Sequence, residues 1–216
     1  MSMENKRQTV KKAKVYAFDF DGTLTRKDTL IEFIRYACGN GRLLGGFLLF
    51  SPILILMKLH LYPNWKAKQQ LFSWFFKGTD IDAFNDRCCQ FALDKKNLLR
   101  PKGIAAMQSA LQEGSKVIVV SASIENWVRP FFEQAFAGME VLSNGQLQVA
   151  CTKIDVRQFK VTGKFLTMNC YGSEKVKRID RAFPHRKTYT LIAYGDSRGD
   201  KAMLDYADER YYKPFK

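Results

Sequence analysis

The chain has 216 residues, 46% hydrophobic and 26% charged, the balance of a folded globular protein and too apolar for a disordered one. With 35 Lys+Arg against 21 Asp+Glu, the formal net charge of +14 favours anionic partners (nucleic acid, an acidic lipid surface or a phosphorylated substrate), or serves solubility alone, and says nothing about fold. Five cysteines (Cys38, Cys88, Cys89, Cys151, Cys170) without a C-x-x-C pair, and two isolated histidines, His60 and His185, argue against a disulfide framework, a zinc site and a histidine-activated nucleophile.

The predicted elements run as follows. Lys6, Arg7, Lys11, Lys12 and Lys14 lead into a short apolar run and an acidic motif, unlike a secretory leader. Val15-Tyr16-Ala17-Phe18 precedes Asp19-Phe20-Asp21-Gly22. The interval from Asp28 to Arg100 lacks such strand patterns and reads as helical. Pro101 to Glu113 predicts a helix with Pro at its start and Gly114 just beyond its end. Val117-Ile118-Val119-Val120 precedes Ser121-Ala122-Ser123, and a helix with amphipathic spacing follows over 124–137. Asn144-Gly145 between Glu140-Val141-Leu142 and Leu147-Gln148-Val149 predicts a hairpin, with a second small β element around Gly163. Glu174 to Phe183 and Arg198 to Ala207 predict helices around Thr190-Leu191-Ile192-Ala193, which runs into Gly195-Asp196-Ser197. The three unalternating apolar runs are the pattern of strands buried on both faces of a parallel sheet, and ligands bind at the carboxyl ends of such strands. The expectation is an α/β fold with a mainly parallel sheet and a helical cap inserted after the first strand. The boundaries read as 1–27 and 101–216 for the core and 28–100 for the cap.

Asp19 and Asp21, two apart at a strand end, are expected on one face, with Gly22 turning backbone N–H groups toward a ligand. Two like charges held together need a cation or a proton. Asp196 follows another strand, with Asp200 about one helical turn on. Carboxylates converging from separate strands suit a hard, oxygen-liganded ion, best matched by Mg2+. Such an ion, with the ammonium of Lys175, offsets the repulsion between a carboxylate and a phosphate. Ser121 and the backbone N–H after it, at Ala122, suit another phosphate oxygen. Asp19 is then a nucleophile, and Asp21 the acid and base for leaving alcohol and water. Singly, a D-x-D pair is more often a solvated loop, a lone lysine a surface residue, and Ser121 a strand-end hydroxyl. Their order and placement at strand ends makes the set specific.

Asp19-Phe20-Asp21-Gly22-Thr23-Leu24-Thr25, then Ser121, Lys175, and Gly195-Asp196-Ser197 with Asp200, resembles the four-motif signature of the haloacid dehalogenase superfamily, and the cap position resembles its phosphoserine-phosphatase-like subgroup. The resemblance implies a Rossmann-like core with a C1-type cap. It implies Mg2+ held by the Asp19 and Asp196 carboxylates and the Asp21 carbonyl, with Asp200 in support. It also implies phosphate contacts from Gly22, Ser121, Ala122 and Lys175. An acid at Asp21 implies phosphatase rather than dehalogenase or ion-pump chemistry, with a mutase as the other outcome. Where phosphoserine phosphatases carry a specificity glutamate, this chain has Asp28.

The uncharged stretch 43–57, between Arg42 and Lys58, would rise roughly 22 Å as a helix, short of the ~30 Å hydrocarbon core, and Pro52 interrupts it. It reads as a buried helical hairpin of the cap or as an interfacial anchor flanked by Arg42, Lys58, His60, Tyr62 and Trp65. With Asn169-Cys170-Tyr171-Gly172-Ser173-Glu174-Lys175-Val176 it is similar to the branch containing bacterial phosphatidylglycerophosphatase C. A lipid phosphate such as phosphatidylglycerophosphate is thus the expected substrate and the cytoplasm, at the inner face of the membrane, the expected location. A soluble phosphatase of a small metabolite and a non-catalytic anion-binding module are the alternatives. No nucleic-acid motif accompanies the charge, and the oligomeric state is not legible.

Overall fold

The computed structural model describes residues 12–59 and 61–216; Lys6, Arg7, Lys11 and His60 lie outside them. Seven strands occur among the described residues: β1 (Ala13–Phe18), β2 (Lys116–Ile124), β3 (Leu147–Thr152), β4 (Ile154–Arg157), β5 (Lys160–Phe165), β6 (Tyr189–Gly195) and β7 (Glu209–Tyr212). Five form one sheet in the order β3-β2-β1-β6-β7, with every neighbouring pair parallel. Phe18 lies in register with Val119 on one side and Tyr194 on the other. Asp19 just after β1, Ser121 in the last part of β2 and Asp196 just after β6 therefore emerge along one sheet edge. Register alone gathers three motifs that are far apart in sequence.

Seven α-helices occur among the described residues: α1 (Thr29–Lys58), α2 (Asn64–Phe76), α3 (Ile81–Asp94), α4 (Pro101–Gln112), α5 (Glu125–Ala135), α6 (Ser173–Ala182) and α7 (Lys201–Tyr206). Side chains alternate across the sheet as strand geometry requires. Phe18, Val117 and Val119 join a core with Met107 of α4 and Phe131 of α5. Ala17, Ile118 and Val120 join a second with Ile179 of α6 and Met203 of α7. Burial on both faces explains the unbroken apolar runs. Gly114, at φ +76, ends α4 in the left-handed conformation expected of a helix-stop glycine. Arg198 to Ala207 is a tight turn over Arg198–Asp200 followed by the short α7.

Helices α1, α2 and α3 make up the helical insertion after the first strand. Asp28 and Asp80 accept backbone N–H groups at the starts of α1 and α3, as good N-caps do. Phe33 of α1 ties the insertion to the core: its ring stacks on Trp127 of α5 at 4.9 Å and meets Phe76, Phe84 and Phe91.

Two expectations are corrected here. Asn144-Gly145 does not make a hairpin. Asn144 Oδ1 accepts the Gln146 N–H at 2.8 Å, Gly145 takes φ +70, and this Asx turn feeds β3 into the parallel sheet beside β2. The hairpin is β4–β5, around Gln158 and Phe159, both at positive φ; it includes Gly163. Lacking Gly, Asn or Asp at the turn, it gives no local signal. Backbone bonds from Gly78 and Ile81 to Val161 and Phe159 hold it against the α2–α3 connection instead. Nor does Pro52 interrupt the helix. Proline cannot donate to the Leu48 carbonyl, and the Ser51 hydroxyl does so at 2.8 Å. The break falls at Gly39, at φ 81 and ψ 165, a conformation readily available to glycine.

Candidate active site

Asp19 ends β1 and its backbone N–H still bonds to Tyr194 at 2.9 Å. The chain then leaves the sheet in a turn over Phe20–Leu24, with Asp21 extended and Gly22 at φ +80, closed by the Thr25 N–H on the Phe20 carbonyl. A Cβ on Gly22 would lie 2.5 Å from Asp196 Oδ2, so glycine is what lets the first and last motifs close on each other. Asp196 follows β6, and Gly195 makes the same allowance for Asp200, whose Cβ would lie 2.5 Å away. One oxygen each from Asp19, Asp196 and Asp200 lie within 4.8 Å of one another.

Lys175 compensates these charges. It sits in the first turn of α6, which begins after Gly172, and is 2% exposed. Its Nζ donates to Asp19 Oδ1 at 2.5 Å and to Asp200 Oδ1 at 2.6 Å. Burial lowers the lysine's proton affinity, but the two carboxylates win and hold it well above its ordinary value. Burial pushes Asp200 up, and is overcome by the Lys175 charge with hydrogen bonds from Lys175 and Ser197, so Asp200 stays ionised below the usual carboxylate range. Asp19 goes the other way: burial, with help from Asp200 and Asp21, outweighs Lys175 and lifts it to about 7. Two acids and one ammonium leave a negative excess, which an added cation would relieve. Ser197, through its N–H and hydroxyl, and the Asp196 N–H occupy Asp200 Oδ2 at 2.8–3.1 Å. Lys216 Nζ reaches Asp196 Oδ2 at 2.9 Å, a second ammonium drawn to the acids.

Asp21 lines the same cavity, but not by strand period, because the chain has already turned. Its Oδ1 accepts from the Thr29 N–H at 2.7 Å and the Thr29 hydroxyl at 2.6 Å, and Oδ2 accepts from the Ser123 hydroxyl. Trp127 Nε1 donates to Thr29 Oγ1 at 3.2 Å and fixes that hydroxyl in turn. Burial, reinforced by the charge of Asp28, raises Asp21 against these hydrogen bonds. Ser121 is buried with its hydroxyl accepting from the Ser123 N–H at 3.0 Å. The β2–β3 register shifts between Ser121 and Ile124, an irregularity of the kind that re-aims side chains beside sites.

Asp19, Asp21, Asp28, Ser121, Ala122, Lys175 and Asp200 all line one cavity of about 370 Å3. The sequence reading missed Lys68, Ser123 and Thr29. Lys68 of α2 also lines the cavity and donates to the Ala122 carbonyl at 2.7 Å; burial lowers its proton affinity while Asp21 and Asp28 oppose that. Its signal was present: a lysine in the apolar stripe of Ala67, Leu71, Phe72 and Phe75. The roof is apolar, with Ile31, Phe47, Leu54 and Met57 of α1.

A parallel α/β sheet whose strand ends deliver a compensated acid cluster beneath a helical insertion defines a hydrolase of the haloacid dehalogenase type. The chain belongs to the haloacid dehalogenase-like hydrolase family, whose model matches residues 16–205. It is similar to protein CicA of Caulobacter vibrioides, at 32% identity over 93% of this chain and 86% of that protein. In fold it is similar to a Bordetella pertussis protein of unknown function (TM-score 0.75, 14% identity, 92% and 89% of the two chains). A substrate-bound phosphoserine phosphatase shares the fold too (TM-score 0.61, 18% identity, 94% and 86%).

Proposed function

We propose that the protein is a magnesium-dependent phosphomonoester phosphatase that works through a phosphoaspartyl intermediate on Asp19, on a lipid phosphate such as phosphatidylglycerophosphate. The observation that carries this is the buried Asp19–Lys175–Asp200 arrangement at the floor of a cavity with an apolar roof. The donor set fits Mg2+: it is all oxygen and rich in negative charge, and ammonium groups are drawn to it. Asp19, Asp196 and the Asp21 carbonyl would hold the ion, with Asp200 in support; when bound, it supplies positive charge on nucleophile and phosphate.

The chain's own groups account for the rest. An Asp19 carboxylate oxygen attacks phosphorus, and the bond from phosphorus to the leaving alcohol breaks. Asp21, whose proton affinity burial raises, gives that alcohol its proton. Water then attacks the acyl phosphate, its proton passes to Asp21, and the Asp19–phosphorus bond breaks to release orthophosphate. Lys175, Ser121 and the Ala122 N–H hold phosphate oxygens, and Gly22 lets the backbone approach them. Lys68 makes a single hydrogen bond among the described residues, to Ala122, and its other two donors suit a second anionic group on the leaving alcohol. Asp28, at the cavity edge, disfavours a further anion there.

Assays of the full chain with Mg2+ on an aryl phosphate, on soluble phosphomonoesters and on lipid phosphates in mixed micelles test both parts. Lipid phosphate should be turned over best, and Asp19→Asn should lose about 10^4-fold or more on every substrate. Unchanged activity in Asp19→Asn refutes the mechanism. Turnover confined to small soluble esters refutes the lipid substrate and leaves the mechanism standing.

A further inference from the structure

Helix α1 beyond Gly39 is apolar on every side, yet only one side is covered. On the inner side Leu43 and Gly46 are buried, and a Cβ on Gly46 would lie 2.6 Å from the Phe75 ring of α2; Phe47, Leu54 and Met57 roof the cavity. On the outer side, Leu44, Leu48, Leu49, Ile55, Leu56 and Leu59 are 41–67% exposed. At 100° per residue these six fall within one arc of roughly 140°. A soluble surface helix would carry polar residues there. Of the two sequence readings of 43–57, the buried hairpin therefore does not hold.

The stripe continues to the active-site mouth. Leu61 and Trp65 are exposed just beyond α1. A groove of about 660 Å3, lined by Met57, Lys58, Leu61, Tyr62 and Arg198 among others, shares Met57, Asn64 and Tyr171 with the catalytic cavity. Arg42 and Lys58 flank the stripe, and Lys66 lies over the Trp65 ring. Basic and aromatic residues bordering an apolar face suit the headgroup layer of an anionic membrane.

We infer that this face docks the protein onto an anionic lipid bilayer, with α1 lying in the plane of the interface and the cavity mouth turned toward the headgroups. The inference extends the lipid-phosphate reading of the same site by giving the substrate's carrier a surface to meet. Among the described residues α1 is the one helix long and apolar enough to cross a membrane. Its packed inner side argues for lying flat, since lipid reaches one side alone. Docking then lets a headgroup phosphate enter along the groove while its acyl chains stay in the bilayer.

Co-sedimentation of the full chain with vesicles is the test, using phosphatidylcholine alone and phosphatidylcholine mixed with phosphatidylglycerol. The parent should bind the anionic vesicles, and less tightly as salt rises. Leu48→Glu combined with Ile55→Glu, both outside the cavity lining, should weaken binding about 100-fold or more while leaving aryl phosphate turnover and circular dichroism unchanged. Asp19→Asn should bind as the parent does, so docking is scored apart from chemistry. If vesicles bind but no lipid phosphate is hydrolysed, docking stands and the substrate reading fails. A parent that stays in the supernatant overturns the inference, as does binding that the double substitution leaves intact. A dimer that the double variant dissociates, with no vesicle binding by either, overturns it in favour of a second copy.

Discussion

The floor and the roof of the cavity are built on opposite physical rules. On the floor the acids are held by specific partners: Lys175 bridges Asp19 and Asp200, and Thr29 and Ser123 hold Asp21. On the roof the side chains of α1 are apolar, the packing is one-sided, and Lys68 reaches in from α2. A floor of this kind is fixed and intolerant of change, because each group stabilises the charge state of the next. A roof of this kind has no chemistry of its own and selects what is admitted. On the proposed function, the core sets the reaction and the insertion the leaving group.

Lys175→Ala strikes the floor hardest. It strands two buried carboxylates, so about 3–5 kcal/mol of stability and some 10^3-fold or more of turnover should go. The pH dependence gives the sign. Asp19 titrates at about 7 in the folded, metal-free chain but near 4 when unfolded. Its burial therefore weakens the fold progressively as pH rises from about 4 to about 7, and costs nothing below that window. Melting temperatures of the metal-free variant should fall furthest behind the parent above pH 7 and recover in mild acid; a pH-independent deficit would mean that Lys175 matters for packing alone.

Lys68→Met strikes the roof. Turnover of phosphomonoesters with a second anion on the alcohol should lose about tenfold in kcat/KM, chiefly through KM, with aryl phosphate unaffected. An equal loss on both would place Lys68 among the reacting groups instead. Gly46→Ala is the mildest change: its methyl meets the Phe75 ring, and about 1–3 kcal/mol of overpacking should appear in denaturant unfolding. Aryl phosphate turnover should hold while lipid turnover falls; equal effects on the two would contradict the division of labour.

The floor was largely legible in the sequence and the roof was not. Asp19, Ser121, Lys175, Asp196 and Asp200 stand at the ends of apolar runs or helix starts, where local pattern and sheet register together dictate their convergence. Thr29 and Ser123 escaped because their roles come from tertiary approach: a hydroxyl 94 to 102 positions away from its partner, as Ser123 is from Thr29 and Asp21, leaves no spacing to read. The same limit misplaced the hairpin, since Asn144-Gly145 has the right turn chemistry while Gln158 and Phe159 are held in theirs by the α2–α3 connection. Pro52 misled for a smaller reason: one seryl hydroxyl satisfied the carbonyl it freed.

Covalent trapping tests the central claim most directly. In the proposed mechanism Asp21→Asn removes the group that activates water, so a brief incubation with a phosphomonoester and Mg2+, quenched in acid, should leave a phosphoryl group on the peptide containing Asp19, labile to hydroxylamine and missing from Asp19→Asn. Label that resists hydroxylamine, or that maps to Ser121, would contradict an aspartyl nucleophile.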